Sequence, residues 1–420
     1  MDSIKINDIK NQKKNRNINL LTIMFIFMIL SDYFSNVLKI LFYAIQILLL
    51  IYLYIIKKTK YQVSINLKYK KYIGFFIFMY ILSFILNFNN NQAIAFSIKM
   101  MIFLLIIYRI FKVYGEFYIV NFFYDIMKIM FVLNAISLFE YIGKTNFFYQ
   151  HLLAIPEGRY SVIGTSDMRL FSIFKHPIVY GNMLVINFSI IYFFKKSYNK
   201  IFYWLNIIVI IINLYGTKSR SSWIAFIFIL VNLFFVNINM KKNIKLKTLV
   251  IYMFFVVFII VFIINFNEII NNIINNILAR FLFEDGSNLS KVQRLGAINN
   301  VLDSINKNPI NILIGNGVYA SSTFMLNNTV MLKNASFMDN MYLTAIYNFG
   351  FLFVYIYILY LIGSLIQALK NKNVLKNMSA NILLAISVNM FFYEALHWLI
   401  PLFIFLIVNC FNIFDVEDYK

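Results

Sequence analysis

Apolar runs long enough to cross a bilayer recur along nearly the whole chain, and this restricts the fold more than any other feature. A helical span needs about 20 predominantly apolar residues. Twelve runs approach that length: 18–34, 36–56, 72–88, 93–111, 117–141, 177–194, 201–216, 223–239, 248–267, 341–366, 378–395 and 398–413. They are continuous, whereas the strands of a membrane barrel alternate over about ten residues. The sequence therefore predicts an all-α polytopic membrane protein with about 12 transmembrane helices, forming one integral membrane domain over 1–420.

Composition narrows the class further. Of 420 residues, 61% are hydrophobic and 13% charged, yet the formal net charge is +21. A soluble domain carries about 25% charged residues. A nucleic-acid binder or a disordered basic tail is excluded by the abundance of Phe, Ile and Leu, so no nucleic acid is expected as a partner. Cys410 is the single cysteine, which rules out an intrachain disulfide and a Cys-based zinc site. His151, His176 and His397 lie far apart in sequence, so no metal and no cofactor is expected. The basic stretch Lys10–Arg16 precedes an apolar run without a small-residue cleavage site, so that run reads as the first span rather than a signal peptide.

The basic clusters supply an orientation. Lys5–Arg16, Lys57–Lys71, Lys195–Lys200, Lys241–Lys247 and Lys370–Lys376 fall on one side of the spans. The positive-inside rule makes that side cytoplasmic, and an even number of spans puts both termini there. Two outer connections are long, 142–176 and 268–340. Within the second, Ser290 and Gln293 fit a capping box, and Val292, Leu295, Ile298, Leu302 and Ile305 recur at helical spacing. This predicts an amphipathic helix over 290–307, ending before Pro309, in a loop lying against the membrane surface.

Sorting charge by side separates lysine from arginine. With Asp32, Arg109, Glu140 and Glu394 at span ends counted with the segments they adjoin, inner segments hold 24 Lys and Arg against 6 acids, and outer segments 11 against 10. Of seven arginines, five are outer: Arg159, Arg169, Arg220, Arg280 and Arg294; of 31 lysines only six are. Orientation needs positive charge of either kind. Arginine adds a planar fork of donors matched to phosphate. The outer set points to an anionic, phosphate-bearing substrate, although pairing with the outer acids or with lipid phosphates would also place arginines there. Within spans, Asp125 and Lys128 sit at i, i+3 and can pair, and Lys99 lies on the neighbouring span.

Three outer segments carry the polar detail: Arg169–Asn182 with His176-Pro177 and Gly181, Thr217–Trp223 with Ser219-Arg220-Ser221, and the stretch from Arg280 through Arg294, Pro309 and Gly315-Asn-Gly317 to Asp339-Asn340-Met-Tyr342 and Gly350. In order, spacing and sidedness they resemble the O-antigen polymerase/O-antigen ligase family of bacterial membrane glycosyltransferases, over about 165–355. The family's ligases carry His before Asn-x-Tyr-Leu; this chain has Asp339.

The resemblance implies a GT-C-like fold and a glycan repeat on undecaprenyl pyrophosphate as substrate. It implies transfer of the growing chain to the next lipid-linked repeat, building O-antigen (lipopolysaccharide) or capsule without a nucleotide sugar or a metal. Expected partners are that lipid-linked glycan, membrane lipid and a chain-length regulator protein. On this reading Arg220 and Arg294 hold pyrophosphate, and Asp339 takes the acceptor's proton. Arg169, His176, Ser219, Arg280, Asn340 and Tyr342 bind substrate. Plainer roles stand beside these: Asp339 as the N-cap of the next span, His176 as an interfacial residue at a span start, Ser219 and Ser221 as small residues of a turn. A ligase of the same family and a lipid-linked oligosaccharide flippase are the rival functions. A flippase should show two related halves and short loops on both sides, which the unequal outer loops, four prolines and 13 glycines do not suggest.

Overall fold

The computed structural model describes residues 19–31, 36–55, 57–148, 163–165, 168–195, 199–240, 288–307, 310–330, 336–370 and 374–418. The expected span 248–267, Arg159, Arg280 and Pro309 lie outside the described residues. The described chain is helical apart from one two-stranded sheet.

In chain order the elements are α1 (Leu20–Ser31), α2 (Asn36–Ile55), β1 (Tyr61–Ile65), α3 (Leu67–Leu86), α4 (Asn91–Tyr114), α5 (Glu116–Gly143), α6 (Pro177–Phe193), α7 (Lys200–Gly216) and α8 (Arg220–Met240). Then come α9 (Asn288–Lys307), α10 (Asn311–Ile314), α11 (Ala320–Asn327), α12 (Met341–Phe349), α13 (Phe351–Lys370), α14 (Val374–Asn389), α15 (Leu399–Ile413) and β2 (Phe414–Asp418). Of these, α3, α4, α5 and α13 are long and apolar enough to cross a membrane; α1, α6, α7 and α15 are shorter apolar helices. Together they make this an all-α membrane protein.

Two helices are buried on all sides. Every residue of α14 from Asn377 to Asn389 is buried, and so is α6 from Val179 to Ile191. A helix enclosed all round needs no amphipathic stripe, but its polar side chains need partners. Asn182 on α6 accepts from Asn389 on α14 at 3.2 Å and donates to the Tyr393 hydroxyl at 3.0 Å. Asn232 on α8 donates to Asn381 at 3.0 Å. The asparagine-rich composition also supplies helix starts: Asn66, Asn90, Asn199 and Asn340 each accept from backbone N–H groups in the first turn, worth about 1 kcal/mol apiece.

The expected span 341–366 is two helices rather than one. Gly350 ends α12 with φ +89°, and Gly315 in the loop before it has φ +77°. The two corners interlock: a Cβ on Gly315 would meet the Asn348 carbonyl oxygen at 2.3 Å, and one on Gly350 would meet that of Leu313 at 2.1 Å. Asn316 N–H donates to Tyr347 O at 2.8 Å and Gly317 N–H to Asn348 O at 3.0 Å. The Gly-Asn-Gly turn and the downstream glycine are thus one packing device, and hydropathy alone does not register it.

The loop helix α9 also departs from expectation. It starts at Asn288, which puts Ser290 inside the first turn, so no Ser290 capping box begins it. Its buried stripe is Gln293, Ala297 and Val301, and the last two pack with Met325, Met338 and Tyr347. Val292, Leu295 and Leu302 are 42%, 50% and 52% exposed. The small side chains face inward because the neighbouring segment comes close, Val330 lying within 2.3 Å of a Cβ placed on Gly296. The large apolar residues form the outer stripe.

At the other end of the molecule, β1 pairs antiparallel with β2, from Tyr61↔Asp418 to Ile65↔Phe414. The lysine-rich 57–71 segment and the end of the described chain are therefore side by side.

Candidate functional site

A cavity of about 1360 Å³ collects most of the outer polar residues named above. Arg169, His176, Ser219, Arg220, Arg294 and Asp339 all line it. Arg280 lies outside the described residues.

Local structure explains how each is placed. Pro177 occupies the first turn of α6, and His176 caps it, its Nδ1 accepting from Ile178 N–H at 3.1 Å. His176 is thus at a span start, as the plainer reading held, while its ring also lines the cavity and packs on Trp398 at 5.4 Å. Arg169 is steadied by Nε donating to Thr217 O at 3.1 Å. The 217–219 corner between α7 and α8 bends through Lys218 at φ +49°. Ser219 is buried and tied to Ser221 and Ser222, both at 3.0 Å. This ties the corner at the start of α8, where Arg220 is the first residue. Arg294 reaches from α9 and donates from Nη2 to Phe392 O at 3.1 Å; its Nε is buried without a partner among the described residues.

Asp339 is not the N-cap. Asn340 holds that position, its Oδ1 accepting from Tyr342 N–H at 2.9 Å and Leu343 N–H at 3.1 Å. Asp339 stands one residue earlier at φ +54°, turned into the cavity wall. Of six described non-glycine residues with positive φ, three line this cavity: Lys218, Tyr319 and Asp339. Such conformations cost of order 1–3 kcal/mol each and concentrate at functional sites. Burial raises the Asp339 pKa above its ordinary value; the positive charge of Arg294 opposes that rise and the Glu394 carboxylate adds to it.

Asn340 and Tyr342 do not line the cavity. Tyr342 donates its hydroxyl to Ser387 O at 3.0 Å and packs on Phe391 at 4.3 Å, fastening α12 to α14. Both residues hold the wall that presents Asp339.

Sequence reasoning missed the segment 390–398. Hydropathy runs it into two spans, whereas α14 stops at Asn389 and α15 begins at Leu399. Glu394 is its hub. Oε1 accepts from Met338 N–H at 2.9 Å and from the Thr344 hydroxyl at 2.6 Å, and Oε2 lies 2.7 Å from His397 Nδ1. Burial pushes the Glu394 carboxyl upward, but the hydrogen bond and charge of His397, with the Thr344 and Met338 donors, outweigh it and hold the group below the usual glutamate range. The signal that marks this segment is a Glu and a His at i, i+3, the only Asp, Glu, Lys, Arg or His residues from 378 to 413. Lys99 on α4 also lines the cavity, with its ammonium 5.1 Å from the Phe96 ring centre.

The charge balance follows. Among the described residues, Lys99, Arg169, Lys218, Arg220 and Arg294 face two carboxylates, Asp339 and Glu394. Tyr43 and Ile47 from α2, with Ile98 and Ile102 from α4, give one side an apolar lining. The fold and site together define a helical membrane protein with a cavity suited to an amphiphilic anion.

Residues 205–359, a little over a third of the chain, match the family model described as O-antigen ligase. This segment is similar to the O-antigen ligase family, which supports the resemblance seen in the sequence motifs. The match runs from α7 into α13 and holds Ser219, Arg220, Arg294 and Asp339, whereas Lys99, Arg169, His176, Glu394 and His397 come from outside it. No curated protein matches the chain.

Proposed function

We propose that this protein is the polymerase that joins glycan repeats carried on undecaprenyl pyrophosphate, at the outer face of the cytoplasmic membrane. The observation that carries the reading is the excess of fixed cations in a cavity with one apolar side. A diphosphate headgroup suits the cations and a polyprenyl chain suits the apolar lining. The reading keeps the architecture that the family resemblance implies, GT-C-like with about 12 spans. It also keeps both termini cytoplasmic, in line with the pairing of β1 and β2 beside the lysine-rich 57–71 segment.

In the reaction, the bond from the donor sugar's anomeric carbon to the pyrophosphate oxygen breaks, and the electron pair leaves with that oxygen. The hydroxyl oxygen of the incoming lipid-linked repeat forms the new bond to the same carbon and loses its proton. Arg220 and Arg294 neutralise the charge developing on pyrophosphate, with Arg169 in support. Preorganised donors of this kind are each worth about 10²–10³ in rate. Guanidinium groups supply the positive charge that a divalent cation supplies in metal-dependent transferases, so the mechanism is written without a metal.

The description of the matching family favours a second reading, ligation of finished glycan to a different acceptor. Asp339, standing where the family's ligases carry histidine, favours polymerisation. Deleting the gene separates the functions. Loss of a polymerase leaves surface acceptors bearing single repeats. Loss of a ligase leaves long polymer on the carrier lipid, and loss of a flippase traps single repeats on the inner leaflet. Surface glycan of parental length in the deletion strain would overturn the proposal.

A further inference from the structure

We propose that His397, held by Glu394, is the residue that takes the acceptor's proton, and that Asp339 instead positions Arg294. The proposal rests on the polymerase reading and assigns the proton transfer within it.

Two histidines line the cavity, and their hydrogen bonds set opposite tautomers. At His176 a backbone N–H donates to Nδ1, so the ring's hydrogen is on Nε2. That ring can donate toward the cavity but cannot accept there. At His397, Nδ1 faces the Glu394 carboxylate at 2.7 Å and therefore carries the hydrogen. In the neutral ring Nε2 then carries the lone pair, and no described residue bonds it. Of the two, His397 is the one prepared as a base.

The ring is also fixed in place. Tyr319 stacks on it with centroids 5.1 Å apart and planes 20° apart, and Phe96 meets it edge-on at 6.3 Å. Glu394 in turn is clamped by Met338 N–H and the Thr344 hydroxyl. A base that moves little loses little on reaching the transition state. Met338 directly precedes Asp339, so the bond from Met338 N–H ties the loop carrying Asp339 to the same carboxylate. Asp339 and Arg294 line the same cavity wall and are near enough for their charges to interact. A carboxylate beside a guanidinium keeps the guanidinium aimed, and its own basicity is reduced by that charge.

The acceptor oxygen forms its bond to the anomeric carbon as its proton passes to His397 Nε2. The bond to the pyrophosphate oxygen breaks with its electron pair on that oxygen. The imidazolium left behind is paired with Glu394 and returns its proton to water. A well-placed base of this kind contributes about 10²–10⁴ in rate.

The test uses the full chain in detergent, with lipid-linked repeat extracted from cells lacking this gene as substrate. Polymer formation by the parent protein checks the polymerase reading separately from this proposal. His397→Gln should lower kcat by at least about 100-fold with KM little changed and an unaltered elution profile. Glu394→Gln should lower kcat by a smaller factor. Asp339→Asn should act mainly by raising KM, as loss of donor positioning requires. Added imidazole should restore activity to His397→Ala. Turnover by His397→Gln close to that of the parent, or imidazole or acetate restoring Asp339→Ala but not His397→Ala, would overturn the proposal.

Discussion

Arg109 and Arg294 occupy very different ends of the same bundle. Arg109, in the last turns of α4, donates from Nε to Leu53 O and from Nη2 to Lys57 O, both at 2.9 Å, with its guanidinium 4.8 Å from the Tyr54 ring centre. It ties α4 to the end of α2. Around it, Lys58, Lys60, Lys68, Lys70 and Lys71 are exposed. Among the described residues, Arg294 makes one bond to a backbone carbonyl and its buried Nε has no partner. Arg169 and Arg220 join it on the cavity, each half-buried. At one end, arginine serves the fold and lysine meets water. At the other, guanidinium groups converge on a space large enough for a ligand. Net charge alone hides this division.

The comparison breaks first at the arginines. Arg220→Ala and Arg294→Ala should each reduce chain extension by about 10²–10³, read as the length of surface glycan, while membrane insertion stays at the parental level. Arg109→Ala should instead lower thermal stability in detergent and leave extension per folded molecule near parental. Equal effects of the two classes on extension would remove the distinction.

A finer test keeps charge and changes shape. Arg220→Lys should retain part of the activity, about a tenth, because an ammonium supplies a point charge where a fork is wanted. Parental activity in that variant would mean that charge alone suffices.

The next effect concerns stability and acid. The folded Glu394 carboxyl titrates below the ordinary value of 4.5. Its ionised form therefore adds stability that is complete above the unfolded-state pKa and is lost as pH falls through the lower folded one. Glu394→Gln should cost about 2 kcal/mol near neutrality, the scale of hydrogen bonds to a charged group. Thermal unfolding in detergent should show the gap between parent and variant narrowing below about pH 4. A gap that widens on acidification would give the shift the wrong sign.

The smallest effect belongs to the β1–β2 face. Lys376 and Asp415 pair there at 3.3 Å with Asp415 41% exposed, and surface pairs are worth about 0–1 kcal/mol. Asp415→Asn should change stability by no more than that and leave glycan length unaltered.

Helix positions were legible because membrane spans announce themselves as continuous apolar runs, and α2 to α8 lie close to where hydropathy puts them. The cavity arginines were legible because their residue type conflicts with the side of the membrane to which the lysine pattern assigns them. Other features were hidden for physical reasons. The break at Gly350 lies within an unbroken apolar run and depends on its contact with Gly315. The burial of Ala297 and Val301 in place of Leu295 and Leu302 depends on how closely a neighbouring segment approaches. Glu394 and His397 were hidden because the apolar residues around them extend the two flanking runs across the break between α14 and α15. Asn340 and Tyr342 were visible as a motif, but their work is to cap α12 and bind it to α14. A sequence motif marks a wall of the site as readily as its lining.

The central claim is that the arginine-lined cavity is where glycan passes from one lipid pyrophosphate to the next lipid-linked repeat. The most direct measurement incubates the purified full chain, and its Arg294→Ala variant of matched stability, with lipid-linked repeat extracted from cells lacking this gene, and resolves the products by size. The account predicts a ladder of products many repeats long with the parent, and unextended substrate with the variant. A ladder of the same length and rate from Arg294→Ala, or no extension by a folded parent protein, would contradict it.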